Sequence, residues 1–211
     1  MTISAVILAA GAGSRWKGPE HKLIHPFKGK PLISWSLEAP LQEDFDELVV
    51  VTGAVDLSSL IPNNYTVLHN HNWEDGQASS LQLAINYAKS VDHEAVVVGL
   101  ADTPMVSSES WNLVSKHPGK LVCGSYGGKR RPPFKIHKDF WKELPTSGDH
   151  GARNVLKSAT LPIVEVSCEG WPDDIDTIED LDKMFNVVIV FSDFPEWSNV
   201  VPARAGGDAR A

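Results

Sequence analysis

The chain alternates short apolar runs with segments of helical spacing, and this alternation restricts its fold more than any other feature. The apolar runs are rich in β-branched residues and nearly continuous, which is typical of strands buried on both faces of a parallel sheet. They span residues 3–9, 47–52, 66–69, 95–100 and 120–123. Helical patterns lie between them, at residues 31–39, 79–89 and 107–116. Strands that alternate with helices predict a single-domain α/β fold with a doubly wound, mostly parallel sheet.

Composition excludes several functional classes. The 211 residues are enough for one domain with a substantial core, and 42% of them are hydrophobic, which is ordinary for a soluble protein. The formal net charge of −8 argues against general affinity for nucleic acid or for anionic membranes. No apolar run approaches the ~18 residues of a membrane span. The N-terminus lacks a basic region ahead of an apolar stretch, so we expect a cytoplasmic protein with two free thiols, Cys123 and Cys168.

The end of the chain differs from the rest in composition. From Pro195 onward it contains Pro, Gly, Ala and charged residues without periodicity, which predicts fraying. We therefore divide the chain into a domain of residues 1–185 and a C-terminal extension of residues 186–211. Within the extension, residues 187–191 could add an edge strand before a disordered tail.

The first predicted strand leads into a loop of small residues, Gly11 to Lys22. Ligands of doubly wound sheets bind at the carboxyl ends of the strands, which is where this loop lies. Glycines let backbone N–H groups approach an anion, while Arg15 and Lys22 offer cations suited to phosphate. The loop is not a Walker loop, because Pro19 and Glu20 follow its second glycine, and it lacks the last glycine of a dinucleotide fingerprint. Composition alone leaves two readings open, a polyphosphate site or a turn with two surface cations.

Two aspartates, Asp102 and Asp176, lie at the ends of predicted elements, where a carboxylate needs a binding partner or a structural role. Asp102 follows the buried run 95–100, and a carboxylate there is costly unless it is solvated or binds something such as Mg²⁺. The alternative for Asp102 is a helix cap or an Asx turn before Pro104. Asp176 precedes Thr177 and Asp180, whose spacing predicts a capping box. Capping accounts for those two residues and leaves Asp176 without a role.

Two further segments are polar and lie next to predicted helices. Ser79 and Ser80 open the helix of residues 79–89, where backbone N–H groups and hydroxyls can meet an anion or a sugar, or where a serine simply caps the helix. Residues 148–156 are charged, and they follow Arg130-Arg131-Pro132-Pro133, which we predict to be a basic bend. A charged helix start is the alternative for residues 148–156.

The motifs occur in an order that resembles one enzyme family. Residues 8–22, with Leu-Ala-Ala-Gly-x-Gly-x-Arg and then Gly and Lys, resemble the signature of the molybdenum cofactor cytidylyltransferase-like, or MobA-like, NTP transferases. Four further segments match that family in order, at residues 73–81, 100–104, 148–153 and 174–177. The resemblance spans about residues 3–184. It departs from the family where Trp16-Lys17-Gly18 replaces the usual Met-Gly, which lengthens the spacing from arginine to lysine by one residue and leaves Lys17 as a rival to Lys22.

The resemblance implies a Rossmann-like nucleotidyltransferase fold and a Mg²⁺-dependent transfer of CMP from CTP to a phosphorylated acceptor, molybdopterin or molybdenum cofactor, with release of pyrophosphate. It implies catalytic roles for Lys22, Arg15 and Asp102, and a metal site at Asp102 and Asp176. It implies a nucleotide site at Leu8, Ala9, Ala10, Gly11, Gly13, Arg15, Lys22, Ser79 and Ser80. Asp149 and Arg153 are implied on the acceptor side.

Other readings remain at this point. The guanylyltransferase relatives carry glycine where this chain has Ala10, so the resemblance favours CTP over GTP. Transfer to a sugar phosphate or phospholactate is an alternative, and so is a nucleotide-binding regulator without catalysis. The expected partners are a nucleoside triphosphate, a phosphorylated small molecule, and a molybdoenzyme or its chaperone, with neither nucleic acid nor membrane.

Overall fold

The computed structural model describes residues 1–149 and 161–188, with side chains as far as residue 184. In this part of the chain the strands are β1 (Ile3–Ala9), β2 (Pro26–Phe27), β3 (Lys30–Pro31), β4 (Glu47–Thr52), β5 (Tyr65–His69), β6 (Ala95–Leu100), β7 (Leu121–Tyr126), β8 (Lys129–His137) and β9 (Ile163–Ser167). The α-helices are α1 (Leu32–Leu41), α2 (Gln77–Ser90), α3 (Ser108–Lys116) and α4 (Ile178–Val188). Short 3₁₀ turns occupy Ser58–Leu60, Trp73–Asp75 and Lys138–Glu143.

Seven of the described strands form a mixed, mostly parallel sheet in the order β5-β4-β1-β6-β8-β7-β9. Strands β5, β4, β1 and β6 are parallel to one another, and β9 is parallel to β7. Strand β8 runs antiparallel to both of its neighbours. The predicted doubly wound, mostly parallel α/β sheet is therefore confirmed.

Both faces of the sheet are buried. In β1, Ala5 and Ile7 pack into one apolar cluster while Val6 and Leu8 pack into the other, as the alternation of a strand requires. Helices α1, α3 and α4 contribute buried residues to the first cluster, and α2 contributes to the second. This two-sided burial explains why the strands are almost continuously apolar in sequence.

Two segments differ from the sequence prediction. Arg130 to Pro133, predicted as a basic bend, lies inside β8, which continues the sheet across a register shift between Cys123 and Gly124 of β7. Prolines argue against a regular strand because they lack an N–H, so the sequence signal was misleading here. Strand β9 was not predicted; its residues alternate between half-buried and exposed, so it lacks the continuous apolar run of a central strand.

The C-terminal prediction is also corrected in part. Helix α4 reaches Val188, so residues 187 and 188 are helical and do not begin an edge strand. Apolar residues recur three apart at Ile178, Leu181 and Met184, a spacing that favours a helix over a strand here. Residues 189–211 lie outside the described part, and the domain boundary at residue 185 stays a prediction. Within residues 1–149 and 161–188, no helix is both long and apolar enough to cross a bilayer.

Candidate active site

The glycine-rich loop leaves the carboxyl end of β1 and borders a cavity of about 550 Å³. This volume lies within the range of small-molecule sites. The cavity is lined by loop residues, by the ends of β1 and β6, and by the start of α2. Lining residues from the predicted nucleotide site are Leu8, Ala9, Ala10, Gly11, Gly13, Arg15, Lys22 and Ser80.

Lys22 lines the cavity, and its ammonium group lies between two carboxylates. Its Nζ donates to Asp102 Oδ2 and to Asp176 Oδ1, each at 2.7 Å. Only 8% of its side chain is exposed. Burial opposes the charge of the ammonium group, but Asp102 and Asp176 outweigh this and raise the pKa of Lys22. Lys17 is exposed and does not line the cavity, so the structure brings Lys22 and not Lys17 to the aspartates.

Trp16 accounts for the departure of this loop from the family pattern. Its ring is buried in the core, and a side chain on Gly18 would meet the indole nitrogen at 2.3 Å. The loop with the extra residue thus packs a tryptophan into the core. Residue 18 has to be small, because a side chain there would clash with the indole ring. With this longer spacing Lys22 still lines the cavity, and His21 at the end of the loop contacts the carbonyl of Gly11 at its start.

His21 fastens the two ends of the loop together. Its Nδ1 accepts from the backbone N–H of Leu23 at 3.3 Å, so Nε2 carries the proton and donates to the carbonyl of Gly11 at 3.0 Å. Burial lowers the pKa of His21, which keeps the ring neutral at physiological pH. The sequence analysis missed this residue, because a lone histidine beside a lysine carries no motif.

The two predicted metal ligands come from different elements and meet. Asp102 follows β6, and Asp176 precedes α4 with both of its oxygens engaged, Oδ1 by Lys22 and Oδ2 by Arg15 at 2.7 Å. The backbone N–H of Ile175 donates to the carbonyl of Asp102 at 2.9 Å, which ties the two segments together. The contact with Lys22 and the bond from Ile175 explain the position of Asp102 without a capping role.

Asp174 joins this pair, although the sequence analysis placed only Asp102 and Asp176 in the metal site. One oxygen from each of the three carboxylates lies within 4.8 Å of the others. Residues two apart in extended chain share a side, which is the signal in Asp174-Ile175-Asp176 that could have found it. Ile175, between them, is fully buried in the core.

The pKa values of Asp174 and Asp176 are shifted in opposite directions. Burial and the nearby charge of Asp102 raise the pKa of Asp174. Burial also acts to raise the pKa of Asp176, but the hydrogen bond and charge of Lys22 outweigh it, so this pKa lies below its usual value. Such a group of carboxylates is short of positive charge and suits a further cation.

The capping box predicted beside Asp176 is confirmed. The backbone N–H of Asp180 donates to Thr177 Oγ1 at 3.2 Å, and that of Thr177 donates to Asp180 Oδ2 at 3.0 Å. The box begins α4 immediately after Asp176. Capping and a role for Asp176 in the site therefore coexist.

The two predicted serines of α2 have different surroundings. Ser80 lines the cavity, whereas Ser79 does not and its hydroxyl donates to the carbonyls of Asn72 and Gly76. Asn70 is buried and donates through Nδ2 to both hydroxyl oxygens, at 2.8 and 2.9 Å. Ser80 therefore lines the cavity and Ser79 does not, and the nucleotide roles of both serines stay predictions.

The segment that carries Asp149 is docked onto the start of α2. Gly148 accepts from the N–H of Ala78 and donates to the carbonyl of Asp75. A side chain on Gly76, whose φ of +92° favours glycine, would meet the carbonyl carbon of Gly148 at 2.5 Å. Asp149 consequently lines the cavity. Arg153, the other predicted acceptor residue, lies outside the described residues.

Fold and site together define a class, an α/β domain with charged residues gathered around a cavity at the carboxyl edge of its sheet. The family model of the MobA-like NTP transferase domain matches residues 5–163. The chain belongs to the MobA-like NTP transferase family.

Two curated relatives align over nearly their whole length. Nicotine blue oxidoreductase from Paenarthrobacter nicotinovorans is 29% identical over 86% of this chain and 96% of its own. The purine catabolism protein PucB of Bacillus subtilis is 31% identical over 85% of this chain and 94% of its own.

Solved structures show the same fold. A nucleotidyl transferase from Methanothermobacter thermautotroptrophicus is 20% identical, with a TM-score of 0.72 over 90% of this chain and 99% of that one. Rv0371C from Mycobacterium tuberculosis H37Rv, in complex with manganese, is 22% identical, with a TM-score of 0.67 over 88% and 99%. The inositol-1-phosphate CTP transferase from T. maritima is 18% identical, with a TM-score of 0.66 over 90% and 96%.

Proposed function

We propose that this chain transfers CMP from CTP to the phosphate of molybdopterin or molybdenum cofactor in the cytoplasm, using Mg²⁺ and releasing pyrophosphate. The observation that carries the proposal is that Lys22 and Arg15 contact the carboxylates of Asp102 and Asp176 in one cavity, beside a glycine-rich loop and with Asp174 next to these carboxylates. A site that only held a nucleotide, as in a regulator, would not need half-buried carboxylates facing a buried lysine.

The reaction requires positioning and charge stabilisation more than covalent chemistry by the protein. An oxygen of the acceptor phosphate forms a bond to the α-phosphorus, the bond from that phosphorus to the bridging oxygen breaks, and pyrophosphate takes the electron pair. Loop N–H groups and Arg15 hold the phosphates, while Lys22 neutralises charge that grows on the departing pyrophosphate. No protein nucleophile is needed.

The three carboxylates fit a divalent cation. Mg²⁺ is typically held by one or two carboxylates together with substrate phosphates and waters, and oxygens within 4.8 Å of one another can share one ion. Asp102 and Asp176 would hold it, with Asp174 beside them. When bound, the ion would neutralise the phosphates of the nucleotide. The manganese complex of Rv0371C, which shares this fold, supports a divalent cation here.

The choice of CTP follows from the strand end Leu8-Ala9-Ala10-Gly11. Ala10 lines the cavity, and its methyl lies close to Gly53 and Trp73, since a side chain on Gly53 would meet Ala10 Cβ at 2.8 Å and Trp73 Cβ at 2.9 Å. A methyl at this position takes space that a glycine would leave open, and this supports a preference for the smaller cytosine over guanine. The CTP transferase from T. maritima shows that a protein of this fold can use CTP.

The acceptor is assigned to the side of the cavity that Asp149 borders. Asp149 follows Gly148, which is hydrogen-bonded to the start of α2, and lines the same cavity as the phosphate loop; Arg153 follows four residues later in sequence. We propose both as acceptor-binding residues. A sugar phosphate or phospholactate would approach from the same side.

The name of one relative denotes an oxidoreductase, a different class of reaction. A redox activity would require a nicotinamide or flavin group to carry electrons. The loop here has Trp16 where a dinucleotide fingerprint has its last glycine. Its lysine and three aspartates favour nucleotidyl transfer instead.

The test is to incubate the purified protein with Mg²⁺, molybdopterin and each NTP in turn, and to measure pyrophosphate. We expect release with CTP that depends on the acceptor, and its loss in Asp102→Asn. Oxidation of a reduced nicotinamide without pyrophosphate release would overturn the proposal. Equal release with a sugar phosphate or phospholactate would replace the acceptor.

A further inference from the structure

Lys22 occupies the position between the carboxylates that a divalent cation would take. Its Nζ lies 2.7 Å from Asp102 Oδ2 and 2.7 Å from Asp176 Oδ1, and its side chain is only 8% exposed. The second oxygen of Asp176 accepts from Arg15. Both oxygens of Asp176 are thus already bonded to protein cations.

A lysine ammonium and a metal ion cannot share these oxygens. Mg²⁺ binds carboxylate oxygens at about 2.0–2.1 Å, so an ion held by the same two atoms would overlap the ammonium group. Two cations at such a separation also repel strongly in a half-buried site. Metal binding through these atoms therefore requires Lys22 to move.

The cavity offers space into which the Lys22 side chain can move. Its side chain borders the cavity, next to the open loop at Gly11 and Gly13. A flexible four-carbon stem lets the ammonium swing while the backbone stays fixed. Nucleotide phosphates in the loop would offer it negative charge in exchange for the carboxylates.

We propose that Lys22 is the resident cation of the three-aspartate site, and that nucleotide phosphates draw it away so that metal and nucleotide bind together. The inference rests on the proposed function, because it takes the phosphates to lie on the loop. It gives Lys22 two alternative partners, the aspartates in the free protein and the phosphates in the complex. Free protein then binds divalent cations weakly, and nucleotide and metal raise each other's affinity by the same factor.

The test measures binding of Mn²⁺ alone by the loss of its free-ion EPR signal, with no nucleotide present. Lys22→Met should bind Mn²⁺ at least ~10-fold more tightly than the wild type, because the competing ammonium is gone. Lys17→Met is the matched control, since it removes the same charge from an exposed position of the same loop; its affinity should stay within ~2-fold. If Lys22→Met folds poorly, Lys22→Gln takes its place, and Mn²⁺ should raise the melting temperature of either variant more than that of the wild type.

A second titration adds a non-hydrolysable CTP analogue. The wild type should gain more Mn²⁺ affinity from the analogue than Lys22→Met gains. Equal Mn²⁺ affinity of wild type and Lys22→Met without nucleotide would overturn this inference and leave the proposed function standing. Absence of Mn²⁺ binding in every variant, with and without the analogue, would overturn the proposed metal-dependent function as well.

Discussion

Asp174→Asn should stabilise the protein when no divalent cation is present. The substitution keeps the size of the side chain and removes one of three carboxylate charges whose oxygens lie within 4.8 Å of one another. At this distance one like-charge pair costs roughly 1 kcal/mol at the dielectric constant of water and roughly 3.5 kcal/mol at an effective value of 20. Lys22 and Arg15, which contact Asp176, offset part of this repulsion, so we adopt the lower figure.

The expected gain is a rise in melting temperature of roughly 2–4 °C at pH 7.5 in EDTA, the shift that ~1 kcal/mol produces in a domain of 150–250 residues. The gain depends on pH with a definite sign. Burial and Asp102 raise the pKa of Asp174 in the folded state, so the wild type is destabilised by this group once it ionises. As the pH falls through that pKa, Asp174 becomes neutral in the wild type too, and the two melting temperatures converge.

Differential scanning fluorimetry from pH 8 to pH 4.5 measures this difference. Asp173→Asn is the control, because Asp173 is an exposed neighbour that lies 3.6 Å from Arg131 Nε; it should give no gain. The same Asp174→Asn protein should bind Mn²⁺ more weakly than the wild type. A melting temperature equal to or below that of the wild type at pH 7.5 would refute the charge argument.

The remaining predictions concern activity. Asp102→Asn should lower turnover at least ~100-fold with an unchanged circular dichroism spectrum, and near-normal Mg²⁺-dependent activity would count against its role. Lys22→Ala should lower kcat more than it raises KM, whereas Lys17→Ala should change neither greatly; the reverse result would show that the wrong lysine was chosen. CTP should exceed GTP by at least ~10-fold in kcat/KM, and Ala10→Gly should erode this ratio, which competition between equal CTP and GTP measures. His21→Ala should raise the KM for CTP by roughly 3–10-fold through loss of its bond to the loop, with partial recovery in His21→Gln; no change in KM would remove His21 from the positioning of the loop.

The central part of the fold was predictable because its strands are buried on both faces. A buried strand needs apolar side chains at every position, and the predicted bounds of β1, β4 and β6 agree with the structure to the residue. Strand β8, on one side of the central parallel strands, was not predictable in this way. It contains two prolines and four lysines or arginines, and its place in the sheet depends on pairing with β6, which is distant in sequence, as well as with the adjacent β7.

The residues of the site also divide into those that the sequence predicted and those that only the structure revealed. The family motifs predicted that Lys22, Asp102 and Asp176 belong to one site, and the structure places them in contact. Asp174 could have been found from its two-residue spacing to Asp176, whereas His21 required the structure, because a linear pattern does not reveal its bonds to Gly11 and Leu23. The contact of the Lys22 ammonium with both Asp102 and Asp176 also follows only from the packing of three separate segments.

The mass of the acceptor after reaction tests the central claim most directly. Molybdopterin incubated with CTP, Mg²⁺ and the purified protein should gain one CMP unit, with one pyrophosphate released for each acceptor modified. An unchanged acceptor mass, with CTP either intact or hydrolysed to CDP and phosphate, would contradict nucleotidyl transfer to this acceptor.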